Sequence, residues 1–352
     1  MIFTDRFQQK TGLVPVFFSC NRRMKYQAPW WLPGGHTQTI WSAKLARTHT
    51  PGRAPSWRRQ RWNTPDGDFI DVDWLDHTVA ESAPLVIHFH GLEGGSDSHY
   101  AQALASVAQT SGWAMVVVHF RGCSGEINTA PRAYHSGDHE EIDWILHRFA
   151  EQHPQRSRRA IGVSLGGNAL MRWAGEHGVV AASVVDSVVS VCSPLDLTAS
   201  GHAIGRGFNR WVYTPRFLKT MKPKAVQKWQ QYPGLFNLEA ALNANDLYGF
   251  DNVFTAPLHG FKDTDDYWSR AAAKPVLRHI GVAALVINAQ NDPFVPADSL
   301  PQAHDVSADV TLWQPMQGGH VGFTRRSLGW GLPGDVRALP EAVAQWWEQV
   351  HG

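Results

Sequence analysis

Short runs of apolar residues recur along the chain. Between them lie longer stretches whose apolar positions return every three to four residues. Leu85-Val-Ile-His-Phe-His-Gly91, Trp113 to Phe120, Ala160 to Val163, Asp186 to Cys192, Val282 to Ala289 and Asp309 to Trp313 are of the first kind. Each is short and rich in β-formers, the pattern of a strand buried on both faces. Ser98 to Ala108, about Gly137 to Gln152, the run behind Ser164 and Leu339 to Val350 are of the second kind and predict helices. Alternation of the two predicts βαβ units and a mostly parallel, doubly wound sheet with helices on both faces. A hairpin precedes it: Trp57 to Asn63, a turn at Thr64-Pro-Asp-Gly67, and Phe69 to Trp74 with apolar and acidic residues alternating. Arg158-Arg159 is too polar for a central strand, so the strand before Ser164 is expected to begin at Ala160.

The alternation fails in two places. Residues 1–55 are rich in Pro, Gly and Trp, show no sustained period, and are expected to form an ordered arm laid over the domain through its aromatics. From about Leu195 to Arg270 there are helix-like pieces with scattered aromatics and no strand pattern, which predicts an inserted helical cap. The expected organisation is therefore an arm (1–55), a first core part (56–194), a cap (195–275) and a second core part (276–352). Within the cap, Arg216, Lys219, Lys222, Lys224 and Lys228 form a basic run with no acid between them. Such a run describes a solvated helix face, or a weak contact with anionic head groups at a membrane surface.

Composition narrows the class. A chain of 352 residues, 43% hydrophobic and 18% charged, can bury a sizeable core. A net charge of +1 gives no bulk attraction to nucleic acid. Sixteen Trp and sixteen Phe fill a core and suit a pocket for an apolar ligand. Cys20, Cys123 and Cys192 are odd in number and far apart, so neither a disulfide framework nor a zinc knuckle is indicated. The apolar run Leu13 to Phe18 around Pro15 is too short for a signal sequence or a membrane span, and a cytoplasmic protein is expected.

The chemistry concentrates at Gly162-Val-Ser-Leu-Gly166. A strand turning sharply into a helix at Ser164 needs small residues two before and two after, and Gly167 adds room. The hydroxyl then stands at a helix N-terminus, where unpaired N–H groups favour negative charge. The same five residues also describe a Gly-rich turn with a surface serine, so the partners decide. A neutral serine needs an imidazole base oriented by a carboxylate. Asp292 follows the Val282–Ala289 run, and His320, behind Gly318-Gly319, follows the next; this is the order and place such partners take. Asp196, just past the preceding run, is the alternative acid. The loop His90-Gly-Leu-Glu-Gly-Gly95 offers the Leu92 N–H as one oxyanion donor, and Leu165 after the nucleophile offers the other. No metal or organic cofactor is required. A competing reading of His88 and His90 with His135, Asp138 and His139 is a metal site. His36 in the arm could face the active site.

Together, His90-Gly-Leu-Glu-Gly-Gly95, Phe120-Arg-Gly-Cys-Ser-Gly-Glu126, Tyr134-His-Ser-Gly137, Gly162-Val-Ser-Leu-Gly-Gly-Asn168, Asn291-Asp-Pro-Phe-Val-Pro296 and Gly319-His320 resemble the α/β-hydrolase superfamily. The arm segment Pro29-Trp-Trp-Leu-Pro-Gly-Gly-His-Thr-Gln-Thr39 strengthens the likeness to its YheT-like branch of esterases, which spans about Ala28 to Gly322. The resemblance implies an α/β-hydrolase fold, a Ser164–Asp292–His320 triad and hydrolysis of carboxylic esters with medium-chain acyl or lipid-like groups. Thioester, lactone or amide hydrolysis by the same serine is the alternative within enzymes, and a hydrolase fold used only for binding is the reading from another class.

Overall fold

Eight strands form one sheet in the order β1-β2-β4-β3-β5-β6-β7-β8 in a computed structural model that describes residues 24–326 and 332–351. The strands are β1 (Trp57–Asn63), β2 (Phe69–Leu75), β3 (Leu85–Phe89), β4 (Ala114–Val118), β5 (Arg158–Val163), β6 (Ser187–Val191), β7 (Ala283–Ile287) and β8 (Val310–Trp313). From β4 to β8 every neighbour is parallel, whereas the β1–β2 hairpin joins β4 antiparallel. The Leu13–Phe18 run and Cys20 lie outside the described residues.

The two-residue period of the strands separates two cores. Leu85, Ile87 and Phe89 of β3, with Val116, Val118, Val188, Ala284 and Val286, face one side. There they meet α3 (His139–Gln152) through Ile142, Ile145, Leu146 and Phe149, and α4 (Leu165–His177) through Leu170 and Trp173. Val86, Met115, Val117, Ile161, Val163, Val189, Leu285 and Ile287 face the other side. They meet α2 (His99–Ser111) and the closing helix Ala338–His351, whose Trp346 and Trp347 are buried. Both faces of the parallel strands are covered, so these strands are largely apolar.

β5 begins two residues before Ala160, which corrects the expected boundary. Arg159 is buried with its guanidinium between the rings of Trp113 and Trp347, 5.7 and 5.6 Å away, so aromatic faces take the place of water. Arg158 bends back to donate to the carbonyls of His153, Arg156 and Val184. The acidic alternation of β2 is also buried. Asp71 and Asp73 pair across the hairpin with Arg61 and Arg59 at 2.9 and 2.8 Å, and Ser124 of the loop after β4 bonds Asp71 from above.

The arm contains an unforeseen helix, α1 (Gly34–Lys44). Its buried residues are Gln38, Thr39 and Ser42, so no apolar stripe betrays it in the sequence. Between β6 and β7 the chain runs through short helices joined by turns, from Leu197–Ile204 to Thr264–Ala271, and it gathers a small core of its own around Leu218, Ala225, Phe236, Phe250 and Phe254. Its ends are tied together, the Lys274 N–H donating to the Leu195 carbonyl at 2.9 Å. Asn168 of α4 secures the return: its amide donates to Ser136 and Ala271 carbonyls and accepts from the Ala273 N–H, every bond buried. Among the described residues no helix is long and apolar enough to cross a membrane.

Candidate active site

The C-terminal ends of β3, β5, β7 and β8 carry the loops that hold the candidate residues, and the loops after β4 and β6 also line the cleft there. Ser164 follows β5 with φ +52°, in the left-handed region a non-glycine residue seldom occupies. The close approach that forces this turn is visible at the flanking glycines. A Cβ on Gly162 would lie 2.4 Å from the Gly166 carbonyl oxygen, and one on Gly166 would lie 2.5 Å from that of His90. The serine N–H donates to Val191 O on β6, which fixes the turn against the sheet.

Asp292 and His320 come together. His320 Nδ1 lies 2.9 Å from Asp292 Oδ2, and the other carboxylate oxygen accepts the Phe294 N–H at 2.8 Å. The Asp292 side chain is fully buried and that of His320 nearly so. Phe294 lies against the imidazole, ring centroids 4.3 Å apart. Ser164 and His320 line one cleft, of about 1110 Å³ including its open mouth, together with Leu92 and Leu165. Around Leu92 the neighbouring amides are occupied: Gly91 N–H donates to Tyr100 Oη and Glu93 N–H to Tyr134 Oη, each at 3.0 Å. Among the described residues nothing accepts from the Leu92 N–H. Leu165 is the first residue of α4, where no helical carbonyl can reach its N–H.

Asp196, the alternative acid, is turned to another task, accepting the Ala199 N–H as the N-cap of Leu197–Ile204. The histidines of the competing metal reading are drawn into separate surroundings. His90 bonds Gly91 O and accepts the Phe120 N–H, His88 packs edge-on against Tyr100, and His135 lies beside His259. Among the described residues no three His, Cys, Asp or Glu side chains form a group that could hold a metal ion. His36 does not line the cleft; its Nδ1 stands 3.2 Å from Tyr213 Oη, beside the ring of Phe208. The basic run is divided, not one solvated face. Lys228 is buried, donating to Asn128 O, Ala130 O and Gln231 Oε1, and Lys224 reaches Glu93 at 2.8 Å and Cys123 Sγ at 3.4 Å. Glu93 also accepts the Tyr134 hydroxyl at 2.8 Å, so helix Thr214–Gln231 is bound to the loop after β3. Burial pushes the Cys123 thiol up to about 11, which leaves it a neutral neighbour of that pair.

Three residues of the site were missed in the sequence. Gln38 Oε1 accepts from Gly318 N–H and from the Asn291 side chain, at 2.9 and 3.0 Å. Asn291 Oδ1 accepts the Gly319 N–H, and Thr39 Oγ1 accepts the His320 N–H, both at 2.9 Å. The loop presenting His320 is thus held by α1 and by the residue beside Asp292. Gly35 makes this approach possible, since a Cβ there would sit 1.8 Å from the Asn291 carbonyl oxygen. Beneath the loop, His99 Nε2 donates to Val321 O at 3.1 Å; burial pushes this imidazole down to about 4, so it stays neutral there. All three lie in segments that carry the family resemblance, but polarity patterns assign no role to a Gln, Thr or Asn there.

The family model described as alpha/beta hydrolase fold matches residues 84–325. The Escherichia coli (strain K12) protein YheT is 38% identical over 277 residues, covering 78% of this chain and 80% of its own. Phospholipase ABHD3 of Mus musculus is 27% identical over 299 residues, covering 81% of this chain and 72% of its own. Among solved structures, the Pyrococcus furiosus esterase Pf2001 superposes with a TM-score of 0.51 at 15% identity, over 87% of this chain and 96% of its own.

Proposed function

The chain belongs to the α/β-hydrolase family, in its YheT-like branch, and is a carboxylic ester hydrolase; from that premise we propose that it works through an acyl-enzyme on Ser164, with His320 as base and Asp292 orienting it. The observation that carries this reading is the 2.9 Å contact between Asp292 Oδ2 and His320 Nδ1 beside the cleft that Ser164 also lines. His320 Nε2 takes the hydroxyl proton as Ser164 Oγ attacks the ester carbonyl. Asp292 stabilises the resulting imidazolium through the Nδ1–H. The Leu92 and Leu165 N–H groups receive the oxyanion. The imidazolium returns the proton to the departing alcohol, and a water deprotonated by His320 then releases the acid.

The substrate reading follows from the cleft wall. The helical segment between β6 and β7 acts as a cap and contributes Ile204, Phe217, Met221, Leu247, Phe250 and Phe254, a wall suited to an acyl chain. The relatives' names, phospholipase among them, point the same way. On a series of p-nitrophenyl esters, kcat/KM is expected to rise from acetyl to octanoyl and to fall at palmitoyl. A preference for acetyl would overturn the acyl-chain assignment. Covalent labelling by a fluorophosphonate, which needs an activated serine, tests the chemistry without knowledge of the substrate and separates an enzyme from a binding protein of the same fold.

Thr39 supports the same reading from outside the cleft. Thr39→Ala leaves the His320 N–H without its acceptor, and a lost bond of this kind costs about 1–3 kcal/mol. We expect kcat to fall about tenfold with KM little changed, and Thr39→Ser to restore most of it. Equal losses in Thr39→Ser and Thr39→Ala, measured by steady-state kinetics, would assign the residue to packing instead.

A further inference from the structure

Residues 197–238 hold seven of the chain's 32 Lys and Arg and none of its 31 Asp and Glu, leaving 25 basic against 31 acidic residues elsewhere. The structure divides the seven by use. Lys224 and Lys228 turn inward to Glu93 and to loop carbonyls, and Lys222 is half-buried. Arg206, Arg210, Arg216 and Lys219 are exposed, and among the described residues no carboxylate pairs with any of them. A block of unpaired cations on a chain that is otherwise acidic is a local field, which the net charge of +1 conceals.

The same stretch of chain carries two large exposed aromatics. In the short helix Gly207–Val212, Phe208 and Trp211 stand three residues apart and so share a face, 50% and 78% exposed. Arg206 precedes this helix and Arg210 lies within it. Its base is fixed: Asn209 is buried and donates to the carbonyls of Ala203 and Pro293, at 2.9 and 2.5 Å. Pro293 directly follows Asp292, so the patch is seated on the loop that holds the proposed acid. Tyr213 continues the contact, edge-on to Phe294, the ring that lies against His320. Ile204 and Phe217, which flank the patch in sequence, both line the cleft.

We propose that this face docks on an anionic lipid surface, with Trp211 and Phe208 entering the headgroup–acyl boundary and Arg206, Arg210, Arg216 and Lys219 meeting lipid phosphates. The charge pattern and the aromatics select this occupant together. Trp favours the boundary of a bilayer because its ring is apolar and its N–H polar, and basic side chains are drawn to a negative leaflet. A duplex offers phosphates but keeps its bases stacked away from the aromatic pair; a single strand, whose bases could stack there, is decided by the test below. An ester with a long acyl chain is scarce in water and concentrated in a bilayer, so a surface beside the cleft mouth that touches lipid would bring the cleft to its substrate. That purpose rests on the hydrolase reading; the docking itself does not.

The test is flotation with vesicles of phosphatidylcholine alone or with about a third phosphatidylglycerol, an anionic fraction chosen to give a negative surface. The protein is expected to float with the anionic vesicles at low ionic strength and to be released by salt. Each basic side chain near such a surface contributes about fivefold, so R206E/R210E should weaken partitioning by at least about 25-fold. Trp211→Ala should weaken it as well, while both variants hydrolyse water-soluble p-nitrophenyl butyrate at the parent rate. Failure to float with anionic vesicles would overturn the proposal. So would flotation unchanged in both variants, or affinity of the four cations for nucleic acid with none for vesicles. Ser164→Ala separates the two readings: if it floats like the parent but the parent hydrolyses no ester, docking stands and the hydrolase reading falls.

Discussion

Ser164→Ala is expected to lower turnover of p-nitrophenyl octanoate by about 10⁶-fold, the loss typical of removing the nucleophile from a serine triad. The backbone at this position already stands at φ +52°, and alanine differs from serine by one oxygen. The strain of the turn is therefore unchanged, and the glycines that permit it are untouched. Thermal unfolding should stay within a degree or two of the parent, since no bond of the hydroxyl contributes to the core. Loss of activity with the fold retained isolates the hydroxyl as the reacting group. A variant that still turned over the ester, and still took up a fluorophosphonate at another residue, would remove the serine from the mechanism.

Asp292→Asn should cost about 10⁴-fold in kcat, and its reason lies in a bond that does not touch the histidine. One carboxylate oxygen accepts the Phe294 N–H at 2.8 Å while the other faces His320 Nδ1 at 2.9 Å. In the asparagine the carbonyl oxygen must stay with the Phe294 N–H, because an NH₂ there would oppose a donor with a donor. The NH₂ is thereby turned toward Nδ1. The imidazole then accepts at Nδ1 and carries its proton on Nε2, the nitrogen that has to be bare to receive the serine proton. Labelling by fluorophosphonate should slow in parallel with kcat, with KM little changed. Asp196→Ala is the control, since that carboxylate caps a helix; it should cost about 1 kcal/mol of stability and little activity. Equal kinetic losses in the two variants would leave the acid unassigned.

The parallel sheet was legible because its strands are buried on both faces and therefore continuously apolar. The Gly-x-Ser-x-Gly turn was legible because close backbone approach admits only glycine at its flanks. The loops after β7 and β8 stood out as the places where an acid and an imidazole follow strand ends. What stayed hidden was polar burial. α1 packs Gln38, Thr39 and Ser42 inward, so hydrophobic periodicity reports nothing there. Arg159 is masked by its charge although two indole faces receive it. The basic run looked uniform in sequence, yet buried Lys228 finds three oxygen acceptors while Lys219, on the same helix, meets solvent. In each case the deciding partner lies dozens to hundreds of positions away, where a local pattern has no view.

The bond between the Lys274 N–H and the Leu195 carbonyl has a consequence for how such enzymes diversify. A stretch whose exit is clasped to its entrance leaves and rejoins the sheet at one place, so its length is free to vary between its further anchors at Glu93, Asn128 and Pro293. Evolution can lengthen or trim it as an insertion where Asn209 and Tyr213 keep their hold on the loop beside the proposed acid.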